Sequence, residues 1–164
     1  MSHTLVLGVG NTLLTDEGAG VHAMNHLRSL RAWPNDVEFI DAGTLSFTLA
    51  DAIAAADNLL IFDAANLDAE PGHVRTLAGD EFDEFLKSGR RSVHEIGFAD
   101  LMDIARLQDC LPENRALVGI QPGTLGWGDA PGPAVAAAIP EAGRQAAALI
   151  DAWVDAPLRE AAGQ

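Results

Sequence analysis

The chain has one cysteine in 164 residues, few basic side chains and no long uninterrupted apolar run. The single thiol, Cys110, excludes an internal disulfide and any CxxC zinc pattern, and it suits a reducing compartment. It sits in Leu107-Gln108-Asp109-Cys110-Leu111-Pro112 at an expected helix end, with no nucleophile-elbow pattern around it, and reads as a packing residue. Without a stretch of roughly eighteen apolar residues, no insertion into a membrane is expected. The opening Met1-Ser2-His3-Thr4 lacks the basic and long apolar regions of a secretion signal, so the expected location is cytoplasmic. Ten Lys and Arg stand against 24 Asp and Glu, a net charge of −14, which argues against nucleic acid as a partner. That charge suits solubility, a basic protein partner or a cation.

What is present is enough for a core: 48% of the residues are hydrophobic and 21% charged. One domain is expected over residues 1–156, followed by a polar tail at 157–164. Short runs rich in branched residues predict strands over 4–9, 37–40, 58–62 and 115–120, the first and last of them buried. A more polar strand over 73–77 is expected at an edge. Helices are predicted from about Asp16, with Thr15 as N-cap, and over 45–55, 80–87, 95–107 and 133–154. Packing positions in the fourth of these are Ile96, Leu101 and Ile104, and Pro140 is expected to start or kink the last helix. Residues 123–133 are rich in Gly and Pro and predict a loop. Strand and helix alternate throughout, so the expected fold is a three-layer α/β/α sandwich around a mostly parallel, twisted sheet of about five strands.

Ligands of such sheets bind beyond the carboxyl ends of the strands. Asn11, Asp16 and Glu17 follow the first strand, Asp41 the second, Asp63 the third and Gln121 the last. Gly8-Val9-Gly10-Asn11 invites a dinucleotide reading, but Leu13 stands where G-x-G-x-x-G needs its third glycine. Asp16 and Glu17 at a helix start would also repel a pyrophosphate. Acids there stabilise the helix dipole or attract a cation. Asp63 closes an apolar strand, where a buried carboxylate needs a partner or a metal; an exposed loop cap is the alternative. His94 is an imidazole just before a helix, either a ligand or simply exposed. His22 and His26 lack the acid of H-E-x-x-H and read as structural. Two carboxylates and one imidazole together suit a borderline divalent ion such as Ni²⁺ or Zn²⁺, with a coordination position left open.

At this point the sequence resembles a known family. The stretch Gly8-Val9-Gly10-Asn11-Thr12-Leu13-Leu14-Thr15-Asp16-Glu17-Gly18-Ala19-Gly20-Val21 is similar to the opening motif of the nickel–iron hydrogenase maturation endopeptidases. Ile40-Asp41-Ala42-Gly43-Thr44, Leu60-Ile61-Phe62-Asp63-Ala64, Ser92-Val93-His94-Glu95-Ile96-Gly97-Phe98-Ala99-Asp100-Leu101 and Val118-Gly119-Ile120-Gln121-Pro122 match further blocks in order. The resemblance implies a protease that removes the C-terminal extension of the hydrogenase large-subunit precursor after nickel insertion. It implies metal contacts at Glu17, Asp63 and His94. The nickel would be supplied by the substrate, with zinc or cadmium as possible surrogates. The water would be activated by the metal or by an acid, Asp16 or Asp41. A monomer is expected. A metallochaperone, or another metal-dependent hydrolase on the same scaffold, is the alternative.

Overall fold

The computed structural model describes residues 2–43, 47–88 and 98–156. Among these residues five strands form one sheet: β1 (Thr4–Val9), β2 (Val37–Gly43), β3 (Asn58–Ala64), β4 (Val74–Ala78) and β5 (Asn114–Ile120), in the spatial order β2-β1-β3-β5-β4. β1 runs parallel to β2 and β3, and β3 parallel to β5. β4 closes one edge antiparallel to β5, where its more polar sequence is tolerated. The sheet is therefore mixed but mostly parallel.

The period of two along each strand builds the layers. Leu5, Leu7 and Val9 of β1, with Leu59 and Ile61 of β3 and Leu117 of β5, face one core. Three helices cover it: α2 (Ala50–Ala54), α3 (Asp80–Lys87) and α4 (Phe98–Leu107), through Ile53, Phe82, Leu101 and Met102. Val6, Leu60, Phe62, Val118 and Ile120 face the other way, onto Ala23, Met24 and Leu27 of α1 (Ala19–Ser29) and Val135, Ala142, Ala146 and Ile150 of α5 (Pro133–Asp155). At the amino ends of the strands a polar row, buried at Thr4 and Asn58 and half-buried at Asn114, sets the register: Asn58 Nδ2 donates to Thr4 Oγ1 at 2.9 Å, and Asn114 Nδ2 donates to Asn58 Oδ1 at 2.8 Å. These three residues are direct neighbours across the parallel strands. A one-residue slip would leave buried amides unsatisfied as well as turning the apolar faces outward.

Several elements differ from expectation. Thr15 does not cap a helix. It opens a 3₁₀ turn, Thr15–Gly18, and α1 begins only at Ala19. Within 45–55 the described part is a 3₁₀ turn, Phe47–Leu49, followed by the five-residue α2. Pro140 neither starts nor divides the last helix, which begins with Pro133 in its first turn and runs as one element of 23 residues. β2 and β3 extend past the predicted ends, so Asp41 and Asp63 lie within strands. Ile104 is only half-buried, while Met102 is buried; Ile96 lies outside the described residues. Among the described residues, no helix is long and apolar enough to cross a membrane.

Candidate active site

The connection from β1 to α1 follows the strand into an unusually close approach. Gly10 has φ +141°, and a Cβ on it would lie 2.0 Å from the carbonyl oxygen of Glu17. At Gly20 a Cβ would lie 2.3 Å from the carbonyl oxygens of both Val9 and Phe62. Only hydrogen fits at either place, and that is what lets the 3₁₀ turn settle directly on the carboxyl ends of β1 and β3. The turn carrying Glu17 packs against β3, the strand that carries Asp63. Glu17 is half-buried and Asp63 is fully buried, at 0% exposure. A carboxylate at that depth is tolerated only among donors or positive charge. His94, the third residue of the expected set, lies outside the described residues. Among the described residues, no three His, Cys, Asp or Glu side chains cluster in a way that could hold a metal ion.

The two remaining acids have opposite surroundings. Asp16 is 2% exposed, and both its carboxylate oxygens are engaged by backbone. Oδ2 accepts from the N–H groups of Gly123 at 2.8 Å and Thr124 at 2.7 Å, and Oδ1 accepts from Gly132 at 2.7 Å. Three of about four lone-pair positions are thus committed. Asp16, expected as a candidate water activator, here ties down the 123–132 loop. Asp41 is exposed, and its Oδ1 accepts the Gly43 N–H at 2.9 Å. It lines a cleft of about 290 Å³ with Gly10, Asn11, Thr12 and Gly43, between the ends of β1 and β2. A bulge at Gly8 and Val9 shifts the register there, so that Gly8 pairs with Asp41 but Val9 with Gly43.

Thr15 extends the same tie. Its φ of +46° is strained for a β-branched residue. The strain is held by its N–H on Gly128 O (2.9 Å) and by its hydroxyl, which contacts Thr124 O (2.6 Å) and Gly126 O (3.0 Å). Gly128 N–H in turn donates to Leu13 O at 2.9 Å, and Leu14 and Gly128 form a parallel bridge. The sequence offered only a Gly-rich loop here; nothing in its spacing joins residues 13–16 to 123–132. Gln121, noted at the same edge, uses its Oε1 to accept the Leu67 N–H at 2.7 Å and so supports the β3–β4 connection. Asn11 closes a local turn by accepting the Leu13 N–H at 3.0 Å. His26 lies against Gly143 of α5.

Comparison with known proteins agrees with this architecture. The profile of a family described as hydrogenase maturation protease matches residues 21–149. The chain is 37% identical over 159 residues to hydrogenase 2 maturation protease of Escherichia coli, covering 96% of each chain. It is 35% identical over 150 residues to the hydrogenase expression/formation protein HupD of Rhodobacter capsulatus, covering 91% of this chain and 71% of that one. Against several such expression/formation proteins it spans less than two thirds of their length, for example 58% of HupM from Azotobacter chroococcum. Among solved structures, the hydrogenase maturating endopeptidase HybD of E. coli superposes with a TM-score of 0.83 at 35% identity, covering 92% of this chain and 93% of that one.

Proposed function

The chain belongs to the hydrogenase maturation protease family, and on that premise we propose that it is the endopeptidase that removes the C-terminal extension of a nickel–iron hydrogenase large-subunit precursor once nickel is in place. The observation that carries the site assignment is the seating of the Glu17 turn on β3, beside the strand end where Asp63 is buried. Two oxygen donors, joined by the imidazole of His94, make a set suited to a borderline divalent ion with positions left open. The nickel belongs to the substrate. Glu17, Asp63 and His94 bind the precursor through it, and so hold the scissile segment against the sheet edge.

Asp41 is our choice for the acid that takes a proton from the attacking water. It is exposed, lines the cleft at the same edge, and has one oxygen oriented by the Gly43 N–H. Asp16 is the weaker choice, since its oxygens already hold the backbone of another loop. Selectivity follows from coordination: a protease that contributes only part of a metal site grips its target well only when the target brings the metal. We place this action in the cytoplasm, where a lone thiol such as Cys110 stays reduced, and assign it to a monomer.

The test is a mass spectrum of precursor large subunit before and after incubation with this protein and with its His94→Ala variant. Loss of a C-terminal peptide from nickel-loaded precursor, with none from nickel-free precursor and none with the variant, is the expected result. Metal transfer without mass loss would instead identify a metallochaperone. Efficient cutting of nickel-free precursor would remove the coordination argument.

A further inference from the structure

Among the described residues, the large hydrophobic side chains left in solvent are unevenly placed. Leu30, Leu107 and Val154 stand singly at or near the carboxyl ends of α1, α4 and α5, at the amino edge of the sheet, where isolated exposed residues are ordinary. Leu13, Phe47, Leu125 and Trp127 all lie at the carboxyl edge, around the candidate active site. Leu13 follows β1, Phe47 follows β2, and Leu125 and Trp127 belong to the loop after β5. The parallel bridge between Leu14 and Gly128 sets Leu13 alongside Trp127. Their exposures are 58% and 84%.

A floppy loop would bury such a tryptophan against the nearest apolar surface. This loop is not free to do so. The Asp16 carboxylate holds it at Gly123, Thr124 and Gly132, and Thr15 and Leu13 hold it at Thr124, Gly126 and Gly128. The chain thus commits a buried acid and a strained threonine to keeping Trp127 outward. Rigid aromatic anchors displayed in this way are what a protein interface uses, because little side-chain or loop entropy is lost on contact.

We infer that Leu13, Leu125 and Trp127 form a docking surface for the body of the large-subunit precursor around its scissile segment. The inference rests on the endopeptidase reading above, and it adds a second point of recognition to the metal. Leu13 directly follows Thr12, which lines the cleft with Asp41, so the patch adjoins the candidate site. Asp129, two residues beyond Trp127, is exposed, and Asp41 is exposed in the adjoining cleft, so a face that complements the patch is apolar with a basic rim.

The experiment measures steady-state processing of nickel-loaded precursor by the wild type, Leu13→Glu, Trp127→Glu and a control, Leu107→Glu, on the opposite edge. Thermal unfolding of each variant confirms that it is folded. The expected result is a KM raised by about tenfold or more in the first two variants, with kcat within about threefold of wild type and the control unchanged. Unchanged KM in both patch variants, while the wild type cuts, would overturn the docking surface and leave the endopeptidase reading standing. A wild type that fails to cut confirmed nickel-loaded precursor would overturn the endopeptidase reading and, with it, this partner.

Discussion

The carboxylate of Asp16 accepts the backbone N–H of Gly132 at 2.7 Å, across 116 residues of sequence. With Gly123 and Thr124 on its other oxygen, this single buried side chain joins the loop after β1 to the loop after β5. Replacing Asp16 with Ala leaves three amides without their acceptor and is expected to destabilise the fold by about 2–4 kcal/mol. Amide hydrogen exchange at Gly123, Thr124 and Gly132 should accelerate more than in the strands. If exchange there is unchanged, the tie is not what orders the loop.

Asp41 carries the opposite expectation. It is exposed, so Asp41→Asn should leave the thermal midpoint near wild type, while Asn Oδ1 can still accept from Gly43. The processing rate of nickel-loaded precursor should fall by about 10²-fold or more, the usual scale for loss of a general base. An Asp41→Asn enzyme that processes normally would end its proposed part in activating water.

Gly20 tests the seating of the Glu17 turn. An alanine methyl there would meet two carbonyl oxygens at 2.3 Å, both on strand backbone that cannot yield without opening the sheet edge. Gly20→Ala should lower unfolding stability by about 3 kcal/mol or more, or prevent folding. Gly43 is the contrast: its φ is +51°, but a Cβ would meet nothing within 4 Å. Gly43→Ala should cost only about 1 kcal/mol, the left-handed backbone alone. Denaturant titration of both variants separates crowding from conformation.

Far from the site, Asp83 of α3 is paired with Arg115 of β5 through two hydrogen bonds, at 2.9 and 2.5 Å, with Arg106 also nearby at 3.3 Å. The Arg115 hydrogen bonds, outweighing partial burial, hold the Asp83 carboxyl below its ordinary value. A carboxyl that is more acidic when folded stabilises the fold above its unfolded pKa, near 3.9. That contribution is lost as pH falls through the lower, folded pKa. Asp83→Asn should therefore destabilise by about 1.5–3 kcal/mol at pH 7. The gap between wild type and variant should close on acidification below about pH 4. A gap independent of pH would mean that packing, not charge, is what the variant removes.

Much of the architecture was legible because it rests on local pattern. Alternating apolar residues in β1 and β3, the 3.6-residue stripe of α1 and the strict strand–helix alternation are all written in neighbouring residues. They already placed the acids at one edge of a parallel sheet. The ends of elements were less legible. β3 carries Asp63 inside the strand because pairing with β5 continues to Ala64, and α5 passes through Pro140 because its apolar face is anchored on both sides of it. Propensity cannot weigh such long-range contacts.

The sequence by itself determined the fold class, the family resemblance and the residues Glu17, Asp41, Asp63 and His94 as candidates, because motif order and strand ends are properties of the chain. Tertiary structure decided the difference between Asp16 and its neighbour. One acid turns inward to satisfy amides more than a hundred residues away, and the next is carried on the turn that packs against β3. It also decided that Trp127 stands beside Leu13 in solvent. Both outcomes depend on hydrogen bonds between two loops that the pairing of β1, β3 and β5 brings to one edge. No spacing along the chain encodes that meeting, since the partners are backbone groups common to every residue.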